Sequence, residues 1–205
     1  MEDDRLEDAV EYFNSNKGVR GYEMTDKKTG ASSDFQSCLP ISSDFMLELL
    51  TEFQISYQLF EHVPLRTVAE SKKVESLFLS TNQGAGHIKN LYLRDSKKRN
   101  ILLVAEQDCV IDLKLLPALL NTKRLSFGSN ERLFENLGVR PGAVTPLSMI
   151  TGVKNSVTLF VQSRLRNCTI LYLHPLVNDR TISISVDDLE KFVKNIGSEI
   201  NWIDF

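Results

Sequence analysis

Lys89 and Asn90 stand side by side in the run Gly86-His87-Ile88-Lys89-Asn90-Leu91-Tyr92-Leu93-Arg94-Asp95. Ile88, Leu91 and Leu93 are apolar, and burying an ammonium without a partner is costly. Lys89 therefore snorkels to water, pairs, or faces a wet pocket that needs a positive charge. On a regular strand Asn90 points to the opposite face. For both side chains to serve one site, the strand must end or bulge there.

Two more places could carry chemistry. Pro141-Gly142 lies between Leu137-Gly138-Val139 and Ala143-Val144-Thr145-Pro146. It is a plain β-turn, or a loop whose backbone N–H groups face a ligand. In the second case Gly142 permits close approach and offers an oxyanion donor to an acyl carbonyl. His174 ends the apolar run Ile170-Leu171-Tyr172-Leu173, and Pro175 turns the chain out of it. Its imidazole is a structural hydrogen-bonder or a ligand-facing group. Asn178 and Thr181 can hold the following loop through side-chain to backbone bonds.

Other chemistries lack their signatures. There is no G-x-S-x-G, H-E-x-x-H or Walker A sequence, and Gly84-Ala85-Gly86 lacks the third glycine of a dinucleotide fingerprint. His62, His87 and His174 do not have metal-ligand spacing. The three cysteines, Cys38, Cys109 and Cys168, form no C-x-x-C pair. Neither a metal nor a cofactor is expected.

The elements that must position these residues follow from patterning. Ser42-Ser43-Asp44 caps a helix with an apolar face at Phe45, Leu47, Leu49, Leu50 and Phe53. Ile55 to Glu61 reads as a strand, and Thr67 with Glu70 as a capping box. His87–Leu93 and Asn100–Gln107 form a hairpin around the turn Asp95–Asn100. Asp112 caps a helix through Leu113, Leu116, Leu119 and Leu120, which Pro117 kinks into two short turns; Ser129 caps another, which stops at Gly138. Val157–Gln162, Thr169–Leu173 and Thr181–Val186 read as strands. Asp187-Asp188 caps a last helix before the Trp202-Ile203-Asp204-Phe205 tail. Strands and helices interleave without a regular β-α-β period, so an α+β domain around one mixed, curled sheet is expected.

The chain has 205 residues, 42% hydrophobic and 25% charged, with a formal net charge of −3. Those are ordinary globular values. The negative sign argues against a broad nucleic-acid surface but allows a small footprint on one RNA end. Residues 1–41 read as an acidic N-terminal extension and polar linker, and 42–205 as the compact domain. The acidic start is not a secretory signal, and no apolar run reaches the roughly 20 residues of a membrane span. A cytoplasmic location without a membrane partner is expected.

Taken in order and spacing, Lys89-Asn90-Leu91-Tyr92-Leu93-Arg94-Asp95, Leu125-Ser126-Phe127, Leu137-Gly138-Val139-x-Pro141-Gly142-x-Val144-Thr145-Pro146 and His174-Pro175-x-x-Asn178 resemble the YbaK/prolyl-tRNA editing family, the aminoacyl-tRNA deacylases. The likeness runs from about Phe45 to Phe205. The Lys-Asn-Leu-aromatic-Leu run is similar to the branch that hydrolyses alanyl-tRNA(Pro), called ProXp-ala or PrdX. The resemblance implies a single YbaK-like domain and a metal-free ester hydrolysis on aminoacylated tRNA. Lys89 matches the essential lysine that meets the 3′-terminal nucleotide. Asn90, Gly142 and His174 match catalytic-pocket positions. Val68, Leu173, Pro141, Thr145 and Asn178 match positions that shape the substrate pocket, and Arg94 and Arg124 match acceptor-stem contacts. Ala143 stands where Ser is common, and Leu147-Ser148 where Phe is common.

The expected activity is removal of alanine from mischarged tRNA(Pro). One methylene offers only roughly 1–3 kcal/mol of discrimination in a synthetase pocket. A second, smaller pocket excludes the proline ring by overlap. Cys- or Ser-charged tRNA is the alternative substrate, and a non-catalytic module binding a tRNA end or a synthetase is the alternative class. A prolyl-tRNA synthetase is a further expected partner. One cavity holding His174 and Gly142 with the Lys89 ammonium at its mouth is the expected geometry.

Overall fold

A computed structural model of the chain describes residues 32–205. The Ser42 hydroxyl accepts from the Phe45 N–H at 3.1 Å and starts α1 (Ser43–Glu52), which buries Met46, Leu49 and Leu50. There follow β1 (Gln58–Glu61), α2 (Val68–Ser71), β2 (Ala85–Asp95), β3 (Asn100–Glu106), α3 (Leu116–Leu119), β4 (Leu125–Phe127) and α4 (Asn130–Leu137). The second half holds α5 (Met149–Gly152), β5 (Thr158–Gln162), β6 (Ile170–Leu173), β7 (Arg180–Ile184), α6 (Val186–Asn195) and β8 (Asn201–Ile203).

The eight strands make one open, mixed sheet in the order β1-β7-β6-β2-β3-β5-β8, with β4 also on β2. Helices surround it, as the α+β reading expected. Strand β2 is its hub. It pairs in parallel with β6 over Ala85–His87 and antiparallel with β3 over Ile88–Arg94. Opposite β3, β4 takes up Leu93–Asp95. Among the described residues, the edge that β6 and β4 share is therefore unpaired by any strand from Ile88 to Tyr92, and the site lies beside that interval.

The two faces of β2 differ. Leu91 opposite Leu103 and Leu93 opposite Ile101 face a cluster with Leu116, Leu120 and Leu125. Each such fully buried side chain contributes roughly 1.5–3 kcal/mol by leaving water. Lys89, opposite Ala105, continues this leucine face. Asn90 and Tyr92 belong to the other face, where Tyr92 gives its hydroxyl proton to Asn100 Oδ1 at 2.8 Å. Pairing with β3 runs through Lys89 and Asn90 without a break, so there is no bulge to bring the two together.

Several boundaries differ from the sequence reading. The helix after Asp112 is only Leu116–Leu119, with Pro117 tolerated in its first turn. Ser185, not Asp187-Asp188, caps the last helix; its hydroxyl accepts from Asp188 N at 3.0 Å. The two aspartates fall in the first turn, where the helix dipole favours them. Strand β4 is too short to announce itself.

The described residues form one compact unit, and it starts earlier than residue 42. Leu39 and Ile41 are buried, and Ser33 N donates to Asp179 Oδ1 at 3.1 Å. The end of the expected linker thus packs on the domain; the rest of that segment lies outside the described residues. Among the described residues no helix is long and apolar enough to cross a membrane.

Candidate functional site

Parallel strands β2 and β6 stay paired as far as His87 opposite Tyr172. Beyond that point β2 remains with β3, while β6 ends and Pro175 carries the chain away. A pocket of about 40 Å³ opens where they separate, lined from both strands by Ile88, Asn90, Leu173 and His174. Leu65, Ser71, Gln107 and Thr181 add to its wall, with the rings of Phe78, His87 and Tyr172. Apart from the imidazoles, no lining side chain is ionisable near neutral pH.

Aromatic packing closes one side. Phe78 meets Tyr172 at 4.7 Å between ring centroids, and His87 stacks on Tyr172 at 5.2 Å. The segment bearing Phe78 is tied down next door: Leu79 N donates to the Tyr172 hydroxyl at 2.9 Å. Nε2–H of His87 donates to the Leu79 carbonyl at 2.9 Å.

Asn90 is the polar anomaly. Its Nδ2 donates to the Val144 carbonyl at 2.9 Å, which fixes the amide orientation. Its Oδ1 is buried with no hydrogen-bond partner among the described residues. A buried acceptor left unmade costs about 1–3 kcal/mol, so this oxygen stands ready for a donor.

His174 is held by a hydrogen bond of 2.8 Å between Nδ1 and the Arg180 carbonyl. A carbonyl can only accept, so Nδ1 carries the proton and Nε2 keeps a lone pair. Burial pushes the imidazole pKa below 6.5; the Arg180 carbonyl opposes this, His62 adds to it, and Asp179 opposes it. His174 is thus neutral at pH 7.

The structure joins some expected site residues and separates others. Asn90, Leu173 and His174 share the pocket. Lys89 does not line it: its ammonium donates to the Cys109 carbonyl, on the opposite face of β2. Cys109 borders a second hollow with Gly84, Gly86 and Arg164. Nor does Gly142 line the first pocket. With Ala143 N donating to the Arg140 carbonyl at 3.0 Å, Pro141 second and Gly142 third at φ +89°, the chain makes a type II turn. A Cβ on Gly142 would sit 3.3 Å from Arg66 Cα and from Asn178 Nδ2. The expected single cavity therefore does not gather all four: Asn90 and His174 share a pocket, Gly142 sits in a turn, and Lys89 reaches the Cys109 loop because adjacent residues of an unbroken strand face opposite ways.

The remaining expected positions support the site from outside. Exposed Pro141 sets the turn. Val68 is half-buried at the start of α2, the helix that carries pocket residue Ser71. Thr145 is buried, its hydroxyl accepting from Leu147 N at 3.4 Å. Asn178 is buried and its carbonyl accepts from Leu65 N at 2.7 Å. Arg94 and Arg124 lie at the β2–β3 hairpin, where Ser96 N donates to the Arg124 carbonyl at 3.0 Å. Lys97, Lys98, Lys123 and Arg124 have no ion pair among the described residues.

Sequence reasoning missed the aromatic wall and His62. All three histidines converge here: the His62 and His174 rings lie 6.2 Å apart. Their spacing in the sequence speaks only to metal binding, and among the described residues no group of three His, Cys, Asp or Glu could hold a metal ion. The Tyr172 and Phe78 rings were hidden because an alternating strand and a short loop reveal no shared partner.

Comparison with known proteins follows the same lines. Residues 62–192 match the aminoacyl-tRNA editing domain. The chain is 35% identical to the prolyl-tRNA editing protein ProX of Acetoanaerobium sticklandii, over 76% of this chain and 92% of that one. It is 30% identical to prolyl-tRNA synthetase associated domain-containing protein 1 of Danio rerio, over 72% of this chain and 78% of that one. A solved structure described as a candidate trans-editing enzyme for prolyl tRNA synthetase superposes with a TM-score of 0.59 at 15% identity, over 80% of this chain and 97% of that one. At that identity it speaks for the fold alone.

Proposed function

The chain belongs to the aminoacyl-tRNA editing domain family, and on that basis we propose that it is a trans-editing deacylase that removes alanine from mischarged tRNA(Pro). The observation that carries this reading is the buried, unpartnered Oδ1 of Asn90 beside neutral His174 in a pocket of about 40 Å³. An aminoacyl ester supplies what is missing, an α-amino group that donates a hydrogen bond. The small volume accommodates a methyl side chain and excludes the proline ring by overlap. The kinship with a protein named for prolyl-tRNA editing supports tRNA(Pro) as the carrier, and a prolyl-tRNA synthetase as a partner.

In this reading Asn90 Oδ1 receives an amine N–H and Leu173 bounds the side chain. His174 Nε2, an acceptor, orients the attacking water. The ester is already activated, so holding water and acyl carbon in register supplies much of the rate. Gly142 acts through its turn, which brings the Val144 carbonyl onto Asn90. Lys89 anchors the 3′-terminal nucleotide from its place beside the Cys109 loop, and Arg94 and Arg124 meet the acceptor stem. Four steps along the strand take Asn90 to Arg94, roughly 13 Å, a distance that suits an ester at the end of a short single strand.

The test is ester loss from tRNA charged with Ala, Cys, Ser or Pro. Rapid loss of the alanyl ester alone is expected. Preference for the Cys or Ser ester changes the substrate; rapid loss of the prolyl ester overturns exclusion by size; no loss of any ester leaves a binding module.

A further inference from the structure

His62 does not line the pocket, yet one of the pocket's polar groups is governed by it. Its Nδ1 lies 2.8 Å from the Val63 carbonyl. That nitrogen must be the donor, because a carbonyl only accepts. In the neutral ring Nε2 is then an acceptor, and it sits 2.8 Å from Thr181 Oγ1. With Nε2 unprotonated, the Thr181 hydroxyl proton is committed to His62. Thr181 is buried and lines the pocket, so a group reaching its oxygen meets lone pairs rather than a donor.

The ring is fixed in place. His62 N donates to the Asp179 carbonyl at 3.0 Å, and three residues on Leu65 N donates to the Asn178 carbonyl at 2.7 Å. Thr181 follows Arg180, whose carbonyl orients His174. The His62–Leu65 segment and the 178–181 segment therefore set the hydrogen-bond polarity of two pocket groups together.

We propose that His62 is a positioning residue that holds Thr181 as a hydrogen-bond acceptor, so that Thr181 Oγ1 and Asn90 Oδ1 together receive the α-amino group of the ester's amino acid. This rests on the deacylase reading above and extends it: two neutral oxygens from different strands select for a donor on the acyl α-carbon. A buried hydroxyl with an uncommitted proton could turn that proton toward the ligand and present a donor instead. His62 removes that option by taking the proton.

The experiment compares two esters on the same tRNA 3′ end, alanyl and propionyl, the second lacking only the amine. Thr181→Val keeps the shape and removes the acceptor. It is expected to lower kcat/KM for the alanyl ester by about tenfold or more, the worth of one hydrogen bond to a polar ligand group. The propionyl ester should lose less than about twofold, since it makes no such bond. Thr181→Ser restores the alanyl rate. His62→Phe, which cannot accept a proton, reproduces the ester-selective loss, and the double variant is no worse than either single one. Equal losses on both esters, no rescue by serine, or additive effects of the two substitutions overturn the proposal while leaving the deacylase intact. If the unmodified protein hydrolyses neither ester, the deacylase reading itself fails and takes this proposal with it.

Discussion

Asn90 in the middle of β2 is tied to Val144 in the loop after the Pro141-Gly142 turn, Nδ2 to carbonyl, at 2.9 Å. One side chain thus couples the stretch of β2 that is paired on its β3 side only to the loop lying beside its other edge. Its other polar atom stays unsatisfied. Replacing Asn90 by Ala strips the Val144 carbonyl of its donor but also removes the unsatisfied Oδ1, so the net cost should be no more than about 1 kcal/mol. Alanyl-ester hydrolysis should fall by roughly tenfold or more. Urea denaturation and single-turnover kinetics measure the two effects separately. A lowered midpoint with hydrolysis per folded molecule unchanged would reduce Asn90 to a structural tie.

His174 should give the enzyme an acid limb. Burial holds its folded pKa below 6.5, whereas the unfolded chain protonates near that value. Between the two values the unfolded state binds more protons. The imidazole's contribution to stability is therefore complete above about pH 6.5 and declines as pH falls toward the depressed folded value. Hydrolysis should hold through pH 7 and fall only below the ordinary imidazole range. His174→Gln should remove that part of both profiles; an unchanged acid limb in the variant would assign it elsewhere.

Gly142→Ala tests the turn. Its φ of +89° suits glycine, and left-handed backbone costs other residues roughly 1–2 kcal/mol. The added Cβ would also press on Arg66 Cα, part of the backbone, at 3.3 Å. A thermal melt should shift down, and hydrolysis should fall because Val144 moves relative to Asn90. An unshifted melt would mean that the turn relaxes freely.

Lys89→Ala should greatly reduce hydrolysis of charged tRNA while far-UV circular dichroism stays the same. The ammonium has N–H donors to spare beyond the one given to Cys109. Near-normal hydrolysis would leave Lys89 as a tie between β2 and the loop at Cys109 and nothing more.

Charge reversal at Arg94 and Arg124 together should weaken tRNA binding and flatten its dependence on salt. Each phosphate that the variant no longer neutralises lowers the logarithmic slope by about one unit or slightly less. Binding titrations at several salt concentrations read this directly. A parallel drop with the slope unchanged would place the acceptor stem away from the β2–β3 hairpin.

Much of the fold was legible because its signals are local. Ser42, Thr67 and Ser129 cap helices as their side chains dictate, and Gly138 ends α4 in the left-handed conformation glycine permits. Apolar runs marked β2, β3, β5 and β6. The motif order in the chain sufficed for the family. Pairing across distance was another matter. Whether β2 runs straight through Lys89 and Asn90 depends on its register with β3, and an unbroken ladder sends the two side chains to opposite faces. Whether Pro141-Gly142 meets a ligand or a neighbour depends on Arg66 and Asn178 packing against it. His62, far from Thr181 in sequence, reaches it only because β1 pairs with β7. Residue types and spacing determined which groups are capable of chemistry; the tertiary structure decided which of them share a cavity, because hydrogen-bond register and packing act between segments that the sequence keeps apart.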